Sequence, residues 1–398
     1  MRISTAHAYD TTVARLNERQ TELNDAQYRI GIGKRVLRAS DDPIAAARAE
    51  RALAEISRAG AGLRSVEASR AAMTQLEGGL GDAVELLQQV REALVAGGDA
   101  AYDDGQRKVL GDRIRGLRDE LFAVANRGDS VTGYLFGGQG SSAPPFLDAA
   151  GGVRYIGTRG ETSADRAGGL PTSIDGALTW LMAPTGNGVF ETRSLASTGS
   201  ATIDAGSVTD PAAITGASYR LQFSVALGVT TYSVLKDGLP TAASGVAFVA
   251  GQPIQIDGMA VTVSGAPADG DEFELAPSTP SLSVFDALDK AAADLATPLR
   301  SVSARTQAAA ENLRNLDALL GRMTATRATA GTALNRIDST GEQLDTDRYN
   351  GKLERSEAED LDMVAAISDF QNKQIVYQAA LQTYASVQRM SLFDYIKT

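Results

Sequence analysis

Few residues in this chain are equipped for covalent chemistry. It has one histidine, His7, and no cysteine, which excludes disulfides, thiol nucleophiles and thiolate metal sites. A Ser–His–Asp triad would have to recruit His7 from a terminal helix, and the HExxH pair of zinc proteases is absent. Gly137–Gly138–Gln139–Gly140–Ser141–Ser142 has the glycines of a phosphate loop without its Gly-Lys-Ser/Thr ending. Gly31–Ile32–Gly33–Lys34 follows a helical pattern, not a strand, so it is no dinucleotide fingerprint. Asp269–Gly270–Asp271–Glu272 lacks the ligand spacing of a calcium loop and reads as a tight acidic turn before a strand. The pairs Asp41–Asp42 and Glu359–Asp360 stand at predicted helix starts, where the helix dipole favours carboxylates. No catalytic, cofactor-binding or metal-ligating residue is assigned, and the chain is read as a non-enzyme without a cofactor.

What the residue types do support is helix association, and the two ends of the chain carry it most clearly. From Ile3 to Ile30 one stripe runs through Ala6, Tyr9, Val13, Leu16, Gln20, Leu23, Gln27 and Ile30. From Asp360 to Leu392 another runs through Met363, Ile367, Phe370, Gln374, Tyr377, Leu381, Tyr384 and Gln388. Steps alternating three and four place each set on one helix face and favour a coiled coil. A helix this long is marginal alone in water, so the two ends are expected to lie together or against the ends of neighbouring copies. The seam glutamines weaken a pair but can specify its register.

Between the ends the pattern is helical, then β, then helical. Gly31 and Gly33 break the first helix. Ser40, Asp41 or Asp42 can cap the next, with Pro43 in its first turn. That helix is predicted to run to about residue 96, with a bend or close helix contact near Gly78–Gly81. A shorter one spans about Gly105 to Asn126. From Gly128 to about Pro280 the helical period is lost. Tyr219–Val225 and Thr231–Leu235 read as strands, and Asp257–Gly258 between Pro253–Ile256 and Met259–Ser264 is a hairpin turn. No Lys or Arg occurs between Asp237 and Asp289, which predicts an acidic face. Helix returns at Val284 and is predicted to continue to residue 338. A break is expected in the polar stretch Asp338–Asn350, which contains Gly341. Ser356–Glu357–Ala358–Glu359 reads as a capping box opening the last helix.

The fold class expected is therefore α+β: an elongated antiparallel helical bundle or coiled coil formed by the N- and C-terminal parts, with an inserted β-rich domain. The expected domains are terminal coiled-coil helices at 1–40 and 350–398, a helical bundle at 41–140 and 281–349, and a β-rich outer domain at 141–280. The net charge of −11 argues against nucleic acid or an anionic membrane as a partner. No stretch is long and apolar enough to insert in a membrane, and the first residues lack the pattern of a cleaved secretory signal.

Four segments together carry a family likeness. Ile30–Gly31–Ile32–Gly33–Lys34–Arg35–Val36 with Ser40–Asp41–Asp42–Pro43 resembles the "SGKRI…SDDP" stretch of the flagellin superfamily, with Ile–Gly where Ser–Gly is usual. Gly133–Tyr134–Leu135–Phe136–Gly137–Gly138 with Pro145–Phe146 is similar to its "YLFxG…PF" segment. Gly265–Ala266–Pro267–Ala268–Asp269–Gly270–Asp271–Glu272–Phe273 resembles a "GxPxxGDxF" turn. Tyr377–Gln378–Ala379–Ala380–Leu381 and Ser391–Leu392–Phe393–Asp394–Tyr395 look like its C-terminus. The Pro after the double Asp resembles the hook-associated branch of the superfamily more than filament flagellin.

The resemblance implies a structural part of the bacterial flagellum, secreted to the extracellular flagellum by type III export and joining hook to filament. Its implied partners are other copies in a homo-oligomeric ring, a neighbouring hook-associated protein, flagellin, and a flagellar export chaperone. The assembly interface is expected at Tyr9, Val13, Leu16, Leu23, Ile30, Met363, Ile367, Phe370, Tyr377, Leu381 and Tyr384. The chaperone is expected to bind Ile375, Leu381, Tyr384, Leu392 and Phe393. Filament flagellin, or a stalked adhesin with a glycan-binding β head, are the alternatives.

Overall fold

The computed structural model describes the backbone of residues 5–128, 133–141, 143–165 and 169–396, and side chains from 10 to 386 within those bounds. Seven α-helices are described: α1 (Thr5–Ile32), α2 (Pro43–Gly98), α3 (Asp104–Ala125), α4 (Gly176–Trp180), α5 (Val284–Ala296), α6 (Val302–Glu359) and α7 (Met363–Ile396). The strands all lie between α3 and α5, so the helix–β–helix order and the α+β class follow the sequence pattern. The chain forms two compact units, residues 1–64 with 340–398, and residues 65–339.

In the second unit, α3 packs against α5. The contact closes at Gly111, where a Cβ would stand 2.7 Å from the Ala292 carbonyl oxygen. Ile114, Leu117, Leu121 and Val124 form the buried stripe of α3. Its start is fixed by a capping box between Asp103 and Gln106. Within this unit α2 runs antiparallel to α6, tied by ion pairs Arg70–Asp338 (2.9 Å), Glu77–Arg327 (2.6 Å) and Arg91–Asp317 (2.6 Å).

Of three expectations about the helices, one is narrowed to a single outcome and two are corrected. First, α2 runs through Gly78–Gly81 without a break. Val124 and Arg127 approach Gly79, and Arg327 approaches Gly81, so of the two outcomes expected there the contact is the one found. Second, the helix expected from 284 to 338 is two helices. They part at Thr297–Ser301, where Pro298 cannot donate to a helical ladder and Leu299 turns left-handed at φ 60°. The Leu299 N–H is taken by the Asp104 carboxylate at 3.1 Å. Third, α6 continues unbroken through 338–350 to Glu359. Small residues hold it there: Gly351 is buried with Ile56 close by, and Leu344 packs over Gly62.

The strand pairs among the described residues are antiparallel, and a single parallel bridge joins Gly138 to Thr158 outside them. Its largest sheet runs Leu239–Pro240, Val229–Lys236, Tyr219–Ala226, Glu272–Pro277, Phe190–Ala196, with Val246–Ala247 also paired to Val229–Lys236. A second sheet is built on the Pro253–Ile256/Met259–Ser264 hairpin. Asp257 and Gly258 both have positive φ, as a type I′ turn requires. The inner faces meet in one core that includes Phe190, Tyr219, Leu221, Phe223, Val261 and Phe273. Three carboxylates in the stretch expected to form an acidic face pair with cations from other segments. Glu274 pairs with Arg193 at 2.9 Å, Glu272 with Arg220 at 3.7 Å, and Asp257 with Lys236 at 2.7 Å.

The Tyr134–Gly138 segment turns at Gly138, whose φ is +68° and whose Cβ would fall 1.8 Å from the Thr158 oxygen. Only glycine fits there. The turn carries Phe136 against Trp180, ring centroids 5.4 Å apart, and Phe146 and Phe285 complete a buried aromatic cluster around that tryptophan.

Candidate assembly surface

In the first unit α1 packs against α7. Each helix leaves from a corner, and the two corners are bonded to one another. Gly33 ends α1 in a left-handed turn at φ +77°, its N–H bonded to the Arg29 oxygen. The next residues pair with the end of α6: Lys34 and Asp360 form an antiparallel bridge. The Arg35 and Val36 N–H groups donate to the Glu359 carbonyl at 2.7 and 3.4 Å, and the Leu361 N–H to the Gly33 carbonyl at 2.9 Å.

The double aspartate after that corner is a pair of caps. Asp41 accepts from the Leu37 and Arg38 N–H groups, each at 3.1 Å, and those bonds hold its carboxyl below the usual range. Asp42 accepts from the Ala45 N–H at 3.0 Å and the Ile44 N–H at 3.2 Å, capping α2. The Ala45 bond, then the Arg35 guanidinium, hold Asp42 low as well. The predicted capping box Ser356–Glu359 does not open the last helix. It forms the last turn of α6, and α7 is capped by Asp362, which accepts from Val364 and Ala365. The misreading is local: Asp362 three residues on offers the same cap chemistry, and Glu359 is drawn away by cations from outside its own turn.

Of the expected interface residues, Val13, Leu16, Leu23, Ile30, Phe370, Tyr377 and Tyr384 are half-buried. Met363, Ile367 and Leu381 are exposed, as is Ile375. The side chains of Tyr9, Leu392 and Phe393 lie outside those described.

The half-buried side of α7 passes through Ala366, Phe370, Lys373, Tyr377, Ala380 and Tyr384. At 3.6 residues per turn these occupy about a quarter of the helix circumference. Met363, Ile367 and Leu381, then Val364 (83% exposed) and Ile375 (63%), continue from its edge round about a further third. A surface helix with one partner needs only a single apolar stripe, so α7 carries a second face that nothing in its own unit covers. On α1, the one buried side chain among those described is Ala26. It lies beside the seam position Gln27, which is exposed.

Among the described residues no group of His, Cys, Asp and Glu is placed to hold a metal ion, and no helix is long and apolar enough to cross a membrane. The Asp269–Glu272 turn uses its central carboxylate internally. Asp271 is fully buried and accepts from the Thr198, Gly199 and Ala268 N–H groups at 2.7–3.2 Å.

The helices at the two ends of the chain, α1 and α7, bracket a β-rich insertion. Residues 3–141 match the bacterial flagellin N-terminal helical region, and residues 313–396 match the C-terminal helical region. The chain belongs to the bacterial flagellin family.

Its similarity to particular members extends over its whole length. It is 27% identical to flagellar hook-associated protein 3 of Salmonella typhimurium over 99% of each chain. Against the Escherichia coli protein of that name it is 25% identical over 100% of each. Among solved structures, Xanthomonas campestris FlgL aligns at a TM-score of 0.69 and 25% identity, over 77% of this chain and 99% of that one. The flagellar junction protein FlgL from Legionella pneumophila aligns at 0.63 and 27% identity, over 69% and 94%.

Proposed function

We propose that this chain is a structural subunit of the bacterial flagellum that joins hook to filament. It is exported by the flagellar type III route with its C-terminal helix held by a chaperone. It then assembles as a ring of copies between a neighbouring hook-associated protein and flagellin. The terminal segments 1–40 and 350–398 are the assembly module, and residues 141–280 the outer one.

The observation that carries this reading is the second apolar face of α7. With α1 docked, Met363, Val364, Ile367, Ile375 and Leu381 remain exposed, a costly arrangement unless a neighbouring helix covers them. Full-length similarity to proteins named flagellar hook-associated protein 3, and a likeness to one titled a flagellar junction protein, favour the junction over the filament itself. Val13, Leu16, Leu23, Ile30, Phe370, Tyr377 and Tyr384 hold the pair together, and the exposed face contacts the neighbour. Leu381→Asp tests the assignment. It should abolish swimming and halt filament growth while the protein is still made; normal motility would refute it.

A further inference from the structure

We propose that the tip of the hairpin formed by Tyr219–Ala226 and Val229–Lys236 is a contact site for a second copy of this chain, with Leu227, Val229 and Val249 as the touching residues. Three hairpins of the β part close through two-residue turns in which both positions have positive φ. Two of them, Asp237–Gly238 and Asp257–Gly258, place Asp before Gly, and a short polar side chain tolerates the left-handed region. The third is Leu227–Gly228, with Leu227 at φ 53°. Leucine is a poor residue there on backbone grounds. It gains nothing from packing either, because it is fully exposed. Strain at a side chain that buries nothing is a mark of function more than of fold.

Leu227 does not stand alone. Ala226 lies opposite Val229 across the hairpin. On the other side, Thr231 pairs with Ala247, and the Phe248 N–H donates to the Thr230 carbonyl at 3.0 Å. The register therefore brings Val249 opposite Val229, on the same face. Val229 is 57% exposed and Val249 59%, and Val225 and Val246 are exposed beside them. No charged residue occurs between Arg220 and Lys236, or between Asp237 and Asp257. The neighbouring carboxylate, Asp269, is turned to the backbone, accepting from the Val225 N–H at 3.0 Å and the Ser224 hydroxyl at 3.1 Å. Outer strands are ordinarily guarded by charge, lysine above all, and this corner has no such guard. Charge also selects the occupant. Residues 65–339 hold 31 acidic and 21 basic side chains, so copies brought side by side repel over most of their surface. An apolar, charge-free corner is where two acidic copies can touch without that repulsion. A cationic partner would be drawn instead to the acidic surface around it. A cyclic assembly joins two different surfaces, so the tip of one copy meets another part of the next.

The inference deepens the proposed ring of copies and rests on it for the arrangement, and two measurements keep the two readings apart. The chain has no cysteine, so Leu227→Cys is its only site for a benzophenone maleimide. In flagella from cells making only this variant, irradiation should join the tip to a second copy of the chain, identified by peptide mass spectrometry. Cross-links to a different protein alone, or none, would overturn the contact. Absence of the chain from sheared flagella would contradict the proposed function, and light scattering from the purified full-length chain would then decide the contact. Leu227→Asp should make the second virial coefficient more positive than Val109→Asp does, since the latter adds the same charge at an exposed valine of α3. Equal coefficients would overturn the contact. Asp suits the left-handed position, so Leu227→Asp should not lower the melting temperature followed by Trp180 fluorescence. A lower one would mean that the leucine serves the fold, and the inference would fail.

Discussion

Asp271 shows how a residue that looks like a ligand becomes a structural centre. Burial alone would raise its pKa, but the Thr198 and Ala268 N–H groups, the Thr198 hydroxyl and the Gly199 N–H together hold it below 3.8. A carboxylate whose folded pKa is depressed contributes stability in full above its unfolded value and loses it as pH falls through the folded one. Asp271→Asn should therefore cost about 2 kcal/mol at pH 7, the range of charge-assisted bonds to a buried group. The gap between variant and parent should narrow in melts taken below pH 3.8. A gap that does not change with pH would mean the carboxylate's charge is not what the loop uses. The sequence shows the acidic turn plainly. It cannot show that Thr198 and Gly199, more than seventy positions earlier in the chain, supply the donors. The same holds for Arg35 and Glu359: each reads as an ordinary surface charge until the corners are brought together.

At the scale of elements, the long helices and their stripes are legible because apolar spacing dictates which side of a helix is buried. The buried stripe of α3 follows helical spacing from Ile114 to Val124, and in α6 Leu316, Leu320, Met323, Ala330 and Ile337 are buried at the same spacing. The helix ends are less legible, because a cap such as Asp362 is one of several similar candidates; the break at Thr297–Ser301 is signalled locally by Pro298, while the acceptor of the Leu299 N–H, Asp104, lies far away in the chain. Glycines are the least legible, since the same residue can mark a break or a contact. Two in α3 separate these roles. Gly111→Ala drives a Cβ into the Ala292 carbonyl and should destabilise residues 65–339 by about 2 kcal/mol, as overpacking does. Gly116 has open space around it, so Gly116→Ala should stabilise by roughly 0.5–1 kcal/mol. Thermal melts followed by Trp180 fluorescence measure both. The two faces of α7 differ in a parallel way. In the isolated protein, Phe370→Asp should loosen the terminal pair, seen as faster amide exchange in α1, whereas Leu381→Asp should leave that exchange unchanged. Equal effects would mean that α7 has no separable faces.

For the whole molecule, the charge distribution matches this division of labour. Residues 1–64 with 340–398 contain 17 basic and 18 acidic side chains, close to neutral, so nearly all of the net −11 lies in residues 65–339. A near-neutral, alanine-rich terminal unit suits packing among copies, and the acidic remainder suits solvent. The helix–β–helix order and the family are legible in the sequence because four short motifs survive in the right order. The phase of the terminal stripes is less so, because alanines such as Ala26, Ala366 and Ala380 carry little hydrophobic signal yet take the covered positions. The exposed face of α7 is what the account depends on, and cysteine accessibility tests it most directly. Ile367→Cys and Leu381→Cys should react rapidly with a maleimide in the purified protein and be blocked in intact flagella. Equal labelling in both states would contradict the claim that neighbouring subunits bury this face.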